Sequence, residues 1–442
     1  MPAPAPVNNL QSGIFAPEFF DPLPQKRILS DIFLGDHEML YTLGGPYLWT
    51  RILLAFCGLV IAGSFMSTLF TVLYQRFLYK RLYRPRYDPA FHPRCAVIVP
   101  CKGGATKNFE ENVRSFLRFS YDNYEVIFTV ESDSDGAVPK IRTVIAGVPK
   151  ASLVIAGLST TCAQKNFNQL AAVKMAKDPD VYVFADVDIS PRPEWLSEII
   201  LPLSSPDISV TTGFRWLHAE RGTLGQQAHF YMNSFLYTIY CTASFIGSVG
   251  LWGGSMAIRR KDFEDFGVAV RWSETVVDDS SLSQIIKKRK KKSILVSTCI
   301  THTDDLIDSV KDATHWFERQ MMFLKLYQRS LWIAAMPIIF ITFVTLVWLP
   351  VAVAIGLFTP VSFFAVGGGA SVVMLAGKFA VDLMYPALGA MPRLSSFMVL
   401  QPATLCIFLI SCLCTAFTNT IVWSGIKYHL SFSGKVTSLE RL

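Results

Sequence analysis

Three strongly apolar stretches of this chain contain no Asp, Glu, Lys or Arg. Residues 52–74, ILLAFCGLVIAGSFMSTLFTVLY, run for 23 residues without a formal charge, and residues 330–377 and 394–426 are likewise uncharged. A helix of about 20 apolar residues crosses a hydrocarbon core roughly 30 Å thick. Charged residues make up only 17% of the chain, against about 25% in ordinary soluble proteins. These runs predict one membrane helix within 48–75 and a C-terminal hydrophobic domain over 330–426. The latter holds about three membrane helices, with a break near Phe358, Thr359 and Pro360. The first run is not a cleaved leader, since it starts late, is long, and lacks a basic segment before it. Residues 1–47 show no sustained period and are expected to be partly disordered, and 427–442 form a tail.

Basic residues orient such a chain. Arg76, Lys80, Arg81, Arg84 and Arg86 follow the first run with no acid before Asp88, whereas the segment before it is acidic on balance. The expectation is an integral, multi-pass membrane protein whose middle region, 76–329, faces the cytosol. The membrane would be that of the Golgi or ER in a eukaryote and the inner membrane in a bacterium. Four spans would put the C-terminus outside, which Lys427, Lys435 and Arg441 oppose, so re-entrant or interfacial C-terminal helices are the alternative. The nine cysteines show no Cys-x-x-Cys pair with zinc spacing and read as free thiols. The run Lys287 to Lys292 (KKRKKK) nearly matches the net charge of +7. It lacks the interleaved aromatics of a base-stacking surface, so a nucleic-acid partner is not expected. A solvated face or attraction to anionic lipid explains it.

The middle region alternates strand-like and helix-like segments. Strands are expected at 95–100 (CAVIVP), 125–130 (EVIFTV), 152–156 (SLVIA) and 181–185 (VYVFA). A glycine loop and an amphipathic helix follow the first strand, and another helix covers 168–177. Such alternation predicts an α/β domain with an open, mostly parallel sheet and flanking helices. Ligands in these sheets bind beyond the carboxyl ends of the strands. Two acid clusters sit at such ends, Glu131 to Asp135 and Asp186-Val187-Asp188. Two carboxylates beyond a strand can hold a divalent cation such as Mg²⁺ or Mn²⁺. No GxxxxGK[ST] occurs and no GxGxxG follows a strand, which disfavours P-loop and dinucleotide-binding chemistry. Asp278 and Asp279 open a helical segment, 274–289. One acid there is explained by helix capping, and a second invites a role as general base. Residues 229–258 are rich in Tyr, Ser and Gly and read as an interfacial surface, with Trp252-Gly-Gly-Ser255 turning into a strand.

The series of a Pro100-Cys-Lys-Gly start, an acid cluster, KNFNQL (165–170), FADVD (184–188), a Gly-Gly-Ser turn and Asp278-Asp279 resembles the inverting, A-type glycosyltransferases of family 2. Within them it is most similar to the ceramide glucosyltransferases. The resemblance covers about 50–430 and implies an A-type glycosyltransferase domain plus transmembrane helices. It implies a UDP-sugar donor, UDP-glucose above all, and a membrane lipid acceptor, ceramide above all. Glu131 or Asp133 would contact uracil or ribose, with Asp133 preferred and Asp135 in reserve. Asp186 and Asp188 would hold Mg²⁺ or Mn²⁺ and the diphosphate, with Lys165 neutralising phosphate. Asp279, beside Asp278, would deprotonate the acceptor hydroxyl, giving a β-glucosyl lipid.

One departure stands out. The family carries Gln/Arg-x-x-Arg-Trp after the base, and here Gln320 fits the first position while Phe323 and Leu324 replace Arg-Trp. Arg319 or Lys325 would then supply the missing charge and Trp316 the aromatic. The loss speaks against a polysaccharide synthase, the enzymatic alternative, and supports the other alternative, a non-catalytic membrane scaffold that kept the fold.

Overall fold

The computed structural model describes residues 69–104, 108–217, 223–303, 307, 309–343 and 394–442, with scattered positions between 55 and 67. Expectations for 1–47, for most of the first uncharged run and for 344–393 lie outside the described residues.

Ten strands are present among the described residues. They are β1 (Cys95–Pro100), β2 (Tyr124–Val130), β3 (Ala151–Ile155), β4 (Val181–Ala185), β5 (Ile208–Leu217), β6 (Ser255–Arg259), β7 (Lys292–Thr303), β8 (Thr420–Trp423), β9 (Ile426–Leu430) and β10 (Val436–Arg441). The helices are α1 (Phe109–Ser115), α2 (Ala137–Ile145), α3 (Gln164–Met175), α4 (Trp195–Ile200), α5 (Leu224–Phe245), α6 (Arg260–Asp265), α7 (Val268–Trp272), α8 (Asp279–Lys288), α9 (Val310–Tyr327), α10 (Arg329–Phe343) and α11 (Leu394–Ala416). A π-helix, Tyr74–Tyr83, precedes β1.

The first seven strands form one sheet in the order β3-β2-β1-β4-β6-β5-β7. Only β6 runs against its neighbours, so the sheet is mostly parallel, as the alternating pattern predicts. β1 and β4 are buried along nearly their whole length. Their unbroken apolar runs are what a strand covered on both faces requires. Aromatic packing fastens one face, where Phe184, Phe263 and Trp272 meet at ring distances of 4.9 to 6.2 Å.

The expected tail is a folded element instead. β8, β9 and β10 form an antiparallel sheet that packs on the α/β domain. The Tyr428 hydroxyl accepts from the Gln164 N–H, the Tyr327 hydroxyl donates to the Gly434 carbonyl, and the Val436 N–H donates to the Glu274 carbonyl. β8 and β9 join through Ser424 and Gly425, whose φ angles are 50° and 76°. Paired positive φ suits the two-residue hairpin turn that matches strand twist. The uncharged run 394–426 is therefore not one continuous helix, because α11 ends at Ala416 and the run continues as strand. Among the described residues, no helix is long and apolar enough to cross a membrane.

Candidate active site

The carboxyl ends of the parallel strands β2, β1 and β4 lie side by side along one edge of the sheet, and two glycine pairs allow close approach there. Gly103 and Gly104 both have positive φ, and a Cβ on Gly104 would lie 2.9 Å from the Ala137 Cα. Asp135 ties this loop down by accepting from the Gly103 and Ala137 N–H groups, each at 2.8 Å. Across the cleft, a Cβ on Gly253 would sit 2.6 Å from both Asp278 carboxylate oxygens, and one on Gly254 would sit 2.7 Å from Asp186 Oδ2. Only residues without a side chain fit between these two acids. The Gly-Gly turn also anchors β4, since the Asp186 N–H donates to the Gly254 carbonyl.

Lys165, near the start of α3, is the hub. Its Nζ lies 2.7 Å from Asp186 Oδ1 and 3.1 Å from Asp278 Oδ2. Burial alone would lower its pKa, but Asp186 and Asp278 outweigh that and raise it, so it stays charged. Asp186 is pushed above its usual range by burial, against the pull of Lys165. Asp278 goes the other way. Burial works against its ionisation, but Lys165 and the Gln169 amide, which donates at 2.9 Å, hold it below the ordinary value. Asp278 therefore does not cap α8 with its side chain but is the buried counter-charge of Lys165.

Asp279, one residue on, is less buried than Asp278. Its carboxylate accepts from the Gly253 N–H at 3.0 Å and from the Ser280 N–H. Burial and the neighbouring charge of Asp278 push it up to about 6, partly offset by Lys165. A carboxylate that titrates close to neutrality is suited to general base work. The loop carrying the pair is fixed from two sides, by the Asn166 amide donating to the Trp272 and Thr275 carbonyls and by the Val276 N–H donating to the Tyr327 hydroxyl.

Asp188 pairs with Arg215 at 2.9 Å through Oδ2, while its buried Oδ1 has no hydrogen-bond partner. That orphaned oxygen fits a cation ligand, since a buried unsatisfied carboxylate oxygen is costly. Among the described residues no group of three or more metal-ligating side chains occurs. Asp186 and Asp188 fit a hard divalent ion that takes its remaining ligands from phosphate oxygens and water, as Mg²⁺ commonly does.

The first acid cluster differs from expectation. Asp133 projects into solvent, 67% exposed, and pairs with Arg142 of α2 at 2.7 Å. Glu131 is the residue that faces inward, 17% exposed, near Lys102 at 3.4 Å and Arg441 at 3.6 Å. The Arg441 guanidinium also donates to Ser159 and Gln164, and Lys102 donates to the Ser424 carbonyl in the hairpin turn. The C-terminal sheet thus borders this end of the cleft, which the chain order does not suggest. Gln320 is half-buried on α9 and makes no side-chain hydrogen bond among the described residues. Lys325 does not supply charge to the site, because its Nζ donates to the carbonyls of Thr415 and Ala416, the last residues of α11, and of Thr418 just beyond it.

A profile of "Glycosyl transferase family 21" matches residues 59–436. The chain belongs to this family. A curated relative, ceramide glucosyltransferase 1 of Caenorhabditis elegans, is 23% identical over 248 residues, or 54% of this chain. The match spans about half the length of that relative, 52%. The likeness to ceramide glucosyltransferases expected from KNFNQL, FADVD and Asp278-Asp279 is thus found for this family 21 chain. Among solved structures, a mannosyltransferase from Pyrobaculum calidifontis in complex with GDP-Man and Mn²⁺ is 15% identical, with TM-score 0.46. It covers 83% of this chain and 99% of that one. Glucosyl-3-phosphoglycerate synthase from Mycobacterium tuberculosis, with Mn²⁺, UDP and glucosyl-3-phosphoglycerate, is 13% identical with TM-score 0.34, covering 52% and 80%.

Proposed function

We propose that this family 21 glycosyltransferase moves glucose from UDP-glucose to the primary hydroxyl of ceramide or a similar lipid, with inversion. The observation that carries the reading is Asp279. It is a carboxylate titrating at about 6, oriented by the Gly253 N–H, beside a lysine and two further acids at the strand ends. Glucose and ceramide follow from the name of the nematode relative.

Asp279 takes the proton of the acceptor hydroxyl as that oxygen attacks the anomeric carbon. The bond from that carbon to the diphosphate oxygen breaks, and UDP leaves with the electron pair. Attack from the face opposite UDP turns an α-linked donor into a β-glucosyl lipid. Lys165 offsets charge on the departing phosphates, and Glu131 borders the nucleoside end. Asp186 and Asp188 would hold Mg²⁺ or Mn²⁺, which supplies Lewis-acid stabilisation of the diphosphate. The domain works at the cytosolic face of a membrane, a reading supported by the three uncharged runs and the basic cluster after the first.

The test uses membranes containing the full chain, ceramide, Mn²⁺ or Mg²⁺, and a panel of labelled UDP-sugars. One lipid-extractable product, absent with Asp279→Asn, is expected from UDP-glucose. Equal yield from the variant removes Asp279 as the base, and no product from any UDP-sugar refutes the reaction.

A further inference from the structure

The run Lys287 to Lys292 takes no part in the site described above. α8 ends at Lys288, Lys290 turns the chain with φ 55°, and β7 begins at Lys292. The run thus lies on the surface, with Lys287, Lys288, Arg289, Lys290 and Lys292 all exposed. Little balances its charge. Among the described residues, Asp207 is the one carboxylate paired with it, 3.5 Å from Lys292 Nζ. Arg289 and Lys291 donate to the backbone carbonyls of Asp265 and Pro206.

An apolar tip stands beside the run. α5 closes in the turn Phe245-Ile246-Gly247, where Phe245 is 49% and Ile246 74% exposed. Gly247 has φ 70°, and a Cβ on it would lie 3.1 Å from Lys292 Cγ, so the stem of Lys292 rests on the turn. The Ser293 N–H ties the two together by donating to the Gly247 carbonyl at 3.0 Å. The same end of α5 meets the close of the first uncharged run. The Phe70 and Phe245 rings are 5.4 Å apart, and the Ser67 and Thr242 hydroxyls 3.3 Å. Tyr74 then donates to the Leu295 carbonyl at 2.7 Å, three residues past Lys292 on β7. Where residues 52–74 cross a bilayer, the lysines and Ile246 therefore stand at its surface.

We propose that Lys287 to Lys292 and the Phe245-Ile246 turn form one docking surface for acidic phospholipid, which holds the domain against the leaflet it faces. The lysines meet anionic headgroups and Ile246 enters the outer acyl region. Basic residues beside a membrane segment gain from an anionic leaflet, and a large apolar side chain among them adds burial at the interface. A merely solvated face accounts for the lysines but leaves Ile246 in water without a reason. The inference rests on the membrane reading above and is independent of which sugar or acceptor the cleft takes.

The experiment places the full chain in nanodiscs of phosphatidylcholine, or of a three-to-one mixture of phosphatidylcholine and phosphatidylserine. Ile246→Cys is treated with a water-soluble maleimide, and peptide mass spectrometry reads modification at position 246. Labelling is expected to slow about tenfold in the anionic discs, a modest demand when each basic residue near such a leaflet favours contact about fivefold. High salt should restore the rate, since it screens surface charge. Combining Ile246→Cys with Lys287→Gln, Lys288→Gln and Lys290→Gln should abolish the difference between the two lipids. All four side chains are exposed, so the fold does not depend on them. Ile155→Cys, on β3 at the opposite edge of the sheet from β7, should label alike in both discs. Equal labelling at position 246 in the two lipids overturns the docking surface, as does equal slowing at position 155. A native chain that stays dispersed without lipid or detergent overturns the membrane reading itself.

Discussion

If Asp279 is the base, it must be ionised when the acceptor hydroxyl arrives, and its environment sets where that happens. Burial and Asp278 raise its titration from the ordinary 3.8 to about 6, against the pull of Lys165 and the Gly253 N–H. On a one-proton curve, its ionised fraction is about 0.9 at pH 7 and about 0.09 at pH 5, a tenfold fall in kcat. An unshifted carboxyl would still be about 0.94 ionised at pH 5, and the rate would hardly move. The assay is transfer at saturating donor and acceptor across pH 5 to 8 at constant ionic strength. A flat profile down to pH 5 would refute the assignment. The stability consequence has the opposite sign. Because the folded value is raised, the folded chain holds this proton more firmly than the unfolded one between about pH 4 and 6. The associated stability is present at acid pH and lost as pH rises through about 6. Asp279→Asn should therefore melt no lower than the native protein at pH 7 while losing transfer.

Lys165→Met leaves Asp278, only 2% exposed at its side chain, without its cation, and should cost on the order of 3–5 kcal/mol. Urea unfolding at pH 7 checks this, and an unchanged midpoint would mean that Lys165 is not the counter-charge. Gly253→Ala drives a methyl to 2.6 Å from the Asp278 oxygens and should destabilise by about 1–3 kcal/mol. It should also cut transfer sharply by shifting the N–H that holds Asp279, and a native kcat would contradict that.

The parts legible in the sequence are those with a local physical signature. VYVFA had to be a strand buried on both faces, and the acids after it had to stand at a ligand-binding edge. Asp278 and Asp279 were visible as a pair, but their division of labour was not. It depends on Gln169 and Gly253, which only the folded chain brings to them. The choice between Glu131 and Asp133 turns on how the chain leaves β2, where the Ser132 and Ser134 hydroxyls bond to each other and Asp133 swings out to Arg142. Spacing alone cannot report that. Arg215, the partner of Asp188, lies on a different strand, β5, so no motif announces it. One signal was present: Arg215 is the sole charge in ISVTTGFRWL, an otherwise apolar and largely buried strand. The hairpin was hidden because its first strand carries no charge and merged with the apolar run before it, although Ser424-Gly425 between short strands is a turn signal.

The sheet formed by β8 to β10 also constrains topography. It is bonded to α3, to α9 and to the loop before α8, so the last residues of the chain share a compartment with the catalytic cleft. A reporter fused after Leu442 would stand on the same side of any bilayer as Asp279. A chain with opposite exposures for the two would have to tear Tyr428, Tyr327 and Val436 from their partners. Protease or epitope mapping of that terminus would thus read out the side on which sugar is transferred, without any assay of the transfer itself.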